Sequence, residues 1–223
     1  MQLFDSLTTE QQLLIEQHLN LVIEANKTTN LTRIDSVDEA MLLHVEDSLV
    51  GLPEITNAPD GLYGDLGSGA GYPGIPLAIA TGRDTMLIDA RQRKIVVLNG
   101  IIEILGLSHQ IKTYAGRAEL LARKQAESFS VLSARALAKL SVLMELASPL
   151  LKQGGQLICY KAIVDPSELA HARQVQKATG LKLKSERDFQ LGEYSRKIIV
   201  FEKTSLPSLK LPRQEGQAQK NPL

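Results

Sequence analysis

Residues 64–80, GDLGSGAGYPGIPLAIA, constrain this chain more than any other segment. Gly67, Gly69 and Gly71 alternate directly after a predicted strand (62–66) and before a predicted helix (75–80). Residues without a Cβ let the backbone turn tightly and come close to a ligand. A strand, a glycine loop and a helix in series place a crevice at the carboxyl end of a strand in an open α/β sheet. A plain tight turn is the alternative, and the strand–loop–helix context argues against it.

The rest of the chain carries the same rhythm. Strands are predicted at 85–89, 109–115, 129–134 and 154–161, alternating with helices at 91–105, 119–123, 137–150 and 166–179. Asp165 and Pro166 supply the cap and first turn of the last helix. This alternation predicts a largely parallel sheet with helices on both faces. Strands at 181–189 and 196–203, turning at Gly192, predict an antiparallel edge hairpin. Two helices precede the sheet. One runs 8–25, with Thr8 and Gln11 as a capping box, and breaks at NKTTN. The other starts at Ser36, with Glu39 completing a box, and is stopped by Gly51 and Pro53. Beyond Lys203, three prolines and few large apolar residues predict an extended tail or partial disorder.

The glycine spacing departs from the dinucleotide fingerprint G-x-G-x-x-G, because the third glycine comes one residue early. Asp65 precedes the first glycine by two, and a carboxylate there repels a pyrophosphate. It favours a cationic ligand carrying an ammonium and a sulfonium, which points to S-adenosylmethionine over NAD. Asp89, at the end of the second strand, suits ribose hydroxyls or caps the following helix. Arg91, Arg93 and Lys94 sit where positive charge opposes the helix dipole, so they either meet phosphate or pair with Asp89 and Glu103.

Net charge is zero but unevenly spread: twelve acidic residues against two basic up to Asp65, and nine basic against five acidic from Lys182 onward. Such polarity offers a basic face to nucleic acid, or is simply a solvated surface. The single cysteine, Cys159, lies in the apolar run LICY and reads as a buried thiol, which fits a reducing cytoplasm. No run of eighteen apolar residues predicts a membrane span, and MQLFDSLTTEQQ does not read as a secretory leader. His18, His44, His109 and His171 lack metal-ligand spacing, so no metal is expected.

Several segments together resemble one family. NKTTNLTRI, HVEDSL, DLGSGAGYPGIPLAIA, IDARQRKIVVL, GRAEL, VLSARALAKL, RKIIVFEK and the closing PRQEG and KNPL resemble the bacterial RsmG (GidB) family, in order and over nearly the whole chain. The resemblance implies a Rossmann-like class I S-adenosylmethionine-dependent methyltransferase of α/β class. It would have an N-terminal helical extension (1–55), a catalytic domain (56–203) and an extended basic tail (204–223). The implied reaction is methylation of N7 of one guanine in the decoding region of 16S rRNA. The implied partner is the 30S subunit or an assembly intermediate, with the enzyme acting as a monomer. The implied cofactor residues are Asp65, Gly67, Ser68, Gly69, Ala70, Gly71, Tyr72, Asp89, Ala118, Glu119 and Arg135. Asn30, Leu31, Thr32, His44 and Asp47 match an N-terminal signature that caps the pocket, with His44 a structural histidine. Three positions depart from the family pattern: Tyr72 in place of phenylalanine, Ala162 in place of glycine and Gln214 in place of a basic residue.

Guanine N7 carries an in-plane lone pair and no proton, so no general base is needed and placement supplies the catalysis. Positive charge moves toward the purine, so Arg135 is expected at phosphate, O6 or the cofactor rather than at N7; pairing with a carboxylate is its alternative. The expected RNA contacts are Arg91, Arg93, Lys94, Arg123, Lys124, Lys139, Lys161, Arg196, Lys197, Arg213 and Lys220, mostly to phosphate. With 4% aromatic residues, a broad stacking platform is not expected. Two rivals remain. For a nicotinamide-dependent oxidoreductase, no Tyr-x-x-x-Lys follows the fourth strand. For a non-enzymatic RNA binder, the glycine loop would be superfluous.

Overall fold

A computed structural model describes residues 3–34 and 36–223. Helix α1 (Thr9–Thr29) is capped by Thr8, whose side chain and that of Gln11 bond reciprocally to each other's backbone. The helix does not break at NKTTN. Thr28 and Thr29 turn their hydroxyls back onto Ala25 O, and left-handed Asn30 (φ 48°) ends it. Ser36 Oγ caps α2 (Val37–Ala40) by accepting from Glu39 N, and α2 runs through a π-helical turn (Met41–Glu46) into α3 (Asp47–Leu49). Pro53 does not only stop this helix: it sits in the first turn of α4 (Leu52–Thr56), where its missing N–H costs nothing.

Alternation then begins with β1 (Tyr63–Leu66), α5 (Gly74–Thr81), β2 (Thr85–Asp89), α6 (Gln92–Ile104), β3 (Ile111–Ala115) and α7 (Ala118–Lys124). It continues with β4 (Phe129–Arg135), α8 (Leu140–Ala147), β5 (Leu151–Lys161), α9 (Pro166–Gln174) and α10 (Gln176–Thr179). Strands β6 (Leu181–Leu191) and β7 (Tyr194–Lys203) close the sheet, and α11 (Gln217–Lys220) lies in the tail. The strand order is β3-β2-β1-β4-β5-β7-β6. The first five strands are parallel and β7 is antiparallel to both neighbours. The predicted hairpin is present, with its second strand inside the sheet and its first at the edge.

Side chains alternate across the sheet and separate two cores. Tyr63, Val131, Ile158 and Val200 face α4 and α5, continuing into a cluster with α1 and α6. Leu66, Leu132, Leu157 and Phe201 face α7, α8 and α9. Cys159 is fully buried there, as read from the sequence, and burial pushes its thiol up to about 12. The tail is neither free nor fully extended. Ala218 is buried, Gly216 N donates to Glu119 Oε1 (2.7 Å), and Arg213 Nε and Nη2 grip Glu145 at 2.6 Å each. Among the described residues, no helix is long and apolar enough to cross a membrane.

Candidate active site

The glycine loop leaves β1 at Leu66 and enters α5 at Gly74. Gly67, Gly69 and Gly71 all take positive φ (72°, 59° and 95°), which any residue with a Cβ resists. Gly67 N bonds to Ile88 O (2.8 Å), holding the loop against β2. A cleft of about 480 Å³ opens over the loop, bounded by Gly67, Gly69, Asp89, Ala118, Glu119 and Leu137 among others. Asp89 Oδ2 accepts from Gly69 N (3.0 Å) and Oδ1 from Arg91 N (2.8 Å). It thus ties the loop to the start of α6, and its spare lone pairs remain for hydroxyls. The ribose-acceptor reading of Asp89 fits this placement; the cap reading does not, because Arg91 is the N-cap of α6 and no side chain caps that helix end.

Asp65 does not lie where charge repulsion at the cleft was expected. Its side chain points to the opposite side of the strand, fully buried. Oδ1 accepts from Ser133 Oγ (2.7 Å) and Oδ2 from Gly74 N (3.1 Å). Burial raises its carboxyl from 3.8 to about 6, against the pull of these two donors. Its task is to set the loop's exit into α5: a Cβ on Gly74 would fall 2.8 Å from Asp65 Oδ2. Ser68, Ala70, Gly71 and Tyr72 also lie behind the cleft rather than on its surface. Cleft residues absent from the expected site include Gly116, Arg117, Leu146 and Gln219. The first two adjoin Ala118. Gln219 comes from the tail, and no sequence signal joins it to the glycine loop.

A second cavity, about 420 Å³, opens beside the first, and Ala136 borders both. Ala136 is itself left-handed (φ 52°), a costly conformation for a residue with a Cβ. Asp47 forms the centre of this cavity's polar wall. Its Oδ2 accepts from Arg135 Nη1 and its Oδ1 from Arg196 Nε, each at 2.7 Å. Arg135 Nη1 also donates to Leu43 O (3.0 Å), a carbonyl of the π-helical turn. So Arg135 is the partner of a carboxylate and lines this second cavity rather than the first. Lys161, on the same wall, is held by Glu168 (2.6 Å) and Ala138 O (3.0 Å).

An aromatic stack joins this cavity to the glycine loop. His44 lies on Tyr72 with centroids 4.6 Å apart and planes at 15°, and His18 packs against Tyr72 at 4.6 Å. His18 Nε2 donates to Ala70 O (3.1 Å), so its buried Nδ1 carries no proton. Burial drives His18 from 6.5 down to about 3. Burial and the nearby Arg135 bring His44 to about 4. Both are neutral at pH 7, which suits the structural reading of His44.

A third hollow, about 910 Å³, is bordered by Asn30, Leu31, Thr32, Arg33, Arg91 and Arg93 and meets the cleft at Arg91 and Lys94. Lys94 Nζ bonds to Leu31 O (3.1 Å). The other expected RNA contacts are dispersed. Arg123 and Lys124 on α7, Lys139 before α8 and Lys220 on α11 are exposed. Lys197 is engaged by Asp188, and Arg213 by Glu145. Arg196 and Arg213, counted as RNA contacts from sequence, are committed to carboxylates inside the fold.

No group of three potential metal ligands occurs among the described residues. The family described as GidB, rRNA small subunit methyltransferase G, matches residues 11–199. The chain belongs to this family. A ribosomal RNA small subunit methyltransferase G from Lactiplantibacillus plantarum is 35% identical over 98% of this chain and 92% of its own length. The Streptococcus thermophilus protein of the same name is 35% identical over 97% and 93%. Solved structures share the fold at lower identity. A putative sarcosine dimethylglycine methyltransferase from Galdieria sulphuraria gives a TM-score of 0.58 at 13% identity, covering 76% of this chain and 88% of that one. The [4+2]-cyclase SpnF gives 0.57 at 16%, covering 88% and 97%. A cyclase and a methyltransferase on one scaffold show that this likeness carries the fold alone.

The cleft fits S-adenosylmethionine by its own chemistry. Its volume lies within the range of cofactor pockets, roughly 300–1,000 Å³. The loop backbone is bare at Gly69, where a Cβ would meet nothing closer than 3.7 Å. Asp89 offers acceptors to a ribose, and Ile88, Leu137 and Leu146 offer apolar surface to an adenine.

Proposed function

We propose that this chain transfers a methyl group from S-adenosylmethionine to N7 of a single guanine in the decoding region of 16S rRNA. It acts as a cytoplasmic monomer on the 30S subunit or an assembly intermediate. The meeting of the cofactor cleft and the second cavity at Ala136 carries this reading, because it sets a methyl donor beside a space of base size. When bound, the cofactor supplies an electrophilic methyl that the N7 lone pair takes as the C–S bond electrons leave on sulfur.

The residues of the chain position and exclude; none moves a proton. The glycine loop and Asp89 hold the donor, with Ala118 and Glu119 at the cleft's other side. Arg135 and the aromatic stack fix the wall between donor and base. Two bound reactants held in line account for roughly 7–11 kcal/mol of barrier in favourable systems. Arg33, Arg91, Arg93 and Lys94 border the entrance and take RNA phosphates, so binding weakens with salt. Arg123, Lys124, Lys139 and Lys220 extend the exposed cationic surface.

The test is methyl transfer from labelled cofactor to unmodified 16S rRNA and to 30S particles, with N7-methylguanosine mapped by site. Label at one decoding-region guanine is the expected result. Label on another base, or none with cofactor binding intact, overturns the substrate assignment.

A further inference from the structure

Adenine carries the same N7 lone pair as guanine, so the reacting atom cannot select the base. Selection requires contacts at the other end of the purine, where guanine has N1–H and a 2-amino group while adenine has a bare N1 and no 2-amino group. A base with N7 toward the cofactor cleft turns that far edge into the second cavity.

Asp47 is the carboxylate on that cavity's wall, and it does not reach the cofactor cleft. Its side chain is 9% exposed, enough to meet a ligand in the cavity. Each oxygen is already fixed by one arginine bond of 2.7 Å, from Arg135 and from Arg196. A carboxylate offers about four lone-pair positions, so about two remain. Two acceptors held in one plane match the two parallel N–H donors of a guanine edge. The arginines also compensate the carboxylate's charge, which lets a buried anion wait for its ligand without an unpaired-charge penalty.

Resting on the function proposed above, we infer that Asp47 is the residue that reads guanine, accepting from N1–H and the 2-amino group, with Arg135 and Arg196 as its positioning residues. An adenine in this orientation puts its N1 lone pair against the carboxylate and leaves it unpaired, which rejects it by repulsion as well as by loss of bonds. The π-helical turn Met41–Glu46 has a purpose in this arrangement. It directs Leu43 O to Arg135 and delivers Asp47 one residue beyond its end, a common use of π turns at functional sites.

The experiment uses 16S rRNA ligated to carry either guanine or inosine at the target. Inosine keeps N7, O6 and N1–H and lacks only the 2-amino group. The wild-type protein is expected to lose about 10- to 100-fold in kcat/KM on inosine, the worth of one hydrogen bond to a charged acceptor. In D47N the amide presents only one acceptor, and the guanine preference is expected to fall below about threefold. Because Asp47 also holds two arginines, cofactor binding by D47N checks its fold. If D47N turns over neither RNA, the ratio of its affinities for the two RNAs is compared with the wild-type ratio. Equal turnover of guanine and inosine by the wild type, or an unchanged preference in D47N, overturns the assignment and leaves the methyltransferase reading standing. Failure of the wild type to methylate the guanine RNA overturns both.

Discussion

Asp65 stands directly opposite Ser133 in the parallel register of β1 and β4, and Ser133 Oγ donates to Asp65 Oδ1 over 2.7 Å. Ser133 has one hydroxyl proton and spends it there, so Tyr63 must donate to Ser133 Oγ in its turn (2.7 Å). The chain of three buried groups is satisfied only with serine in the middle. Ser133→Ala leaves Tyr63 without an acceptor and Asp65 with Gly74 N alone. We predict a loss of about 1–3 kcal/mol in urea unfolding and a further rise of the Asp65 carboxyl above about 6. An unchanged midpoint would mean that water replaces the hydroxyl.

The loop glycines predict contrasting variants. A Cβ on Gly71 (φ 95°) would lie 2.7 Å from Ile75 Cδ1 and 3.0 Å from His18 Nε2, in packed surroundings. A Cβ on Gly69 (φ 59°) would face the cofactor cleft and meet only Lys94 Nζ at 3.7 Å and Gly67 O at 3.8 Å, ordinary contacts. Gly71→Ala is therefore expected to lower the melting temperature strongly. Gly69→Ala is expected to cost only the left-handed strain, about 1–2 kcal/mol, yet to weaken S-adenosylmethionine binding. Calorimetric titration beside thermal unfolding separates the two. Equal effects of both variants on stability would remove the distinction.

How much of this was legible beforehand follows from what each residue depends on. The glycine loop and Asp89 were readable because local sequence dictates them: positive φ needs glycine, and a strand end places its own carboxylate. Asp65 was readable as important but not in role, since the side of the strand it faces depends on register with Ser133, sixty-eight residues away. The Arg135–Asp47–Arg196 cluster spans three elements, and its carboxylate was noticed only as part of a family signature. Gln219 and the docked tail left no local signal. Prolines and polar residues read as a loose tail, whereas Glu119 and Glu145 pull it onto α7 and α8.

That docking gives a third prediction. Glu145 is 3% exposed, and its charge is answered by the bidentate guanidinium of Arg213. Removing Arg213 leaves a buried anion unpaired, at a cost of about 3 kcal/mol, and frees the segment that brings Gln219 to the cleft. Arg213→Ala is expected to destabilise the protein and to weaken cofactor binding together. The Arg213→Met, Glu145→Met double variant is expected to regain most of the stability, since it removes both charges. Weaker RNA binding with stability and cofactor affinity untouched would instead make Arg213 an RNA contact.

Three buried groups set the response to acid. His18 and His44 titrate near 3 and 4 in the folded protein against an ordinary 6.5, so the unfolded chain takes up their protons first. Their stabilisation is present above pH 6.5 and is lost as pH falls, down to about 4 for His44 and about 3 for His18. Asp65, raised to about 6 from 3.8, works the other way: the folded state holds its proton longer, so stability falls as pH rises from 3.8 to about 6. Between pH 4 and 6 two histidines oppose one carboxylate. These three groups leave a net gain of about 1.4 kcal/mol per pH unit on raising the pH. His18→Gln keeps a donor for Ala70 O and deletes one histidine, so it is expected to lower the slope of unfolding free energy against pH by about 1.4 kcal/mol per unit. The difference between the two slopes, measured by urea titration from pH 4 to 6, isolates His18 from every other titrating group. Parallel slopes for wild type and variant would mean that His18 gains its proton without unfolding the site.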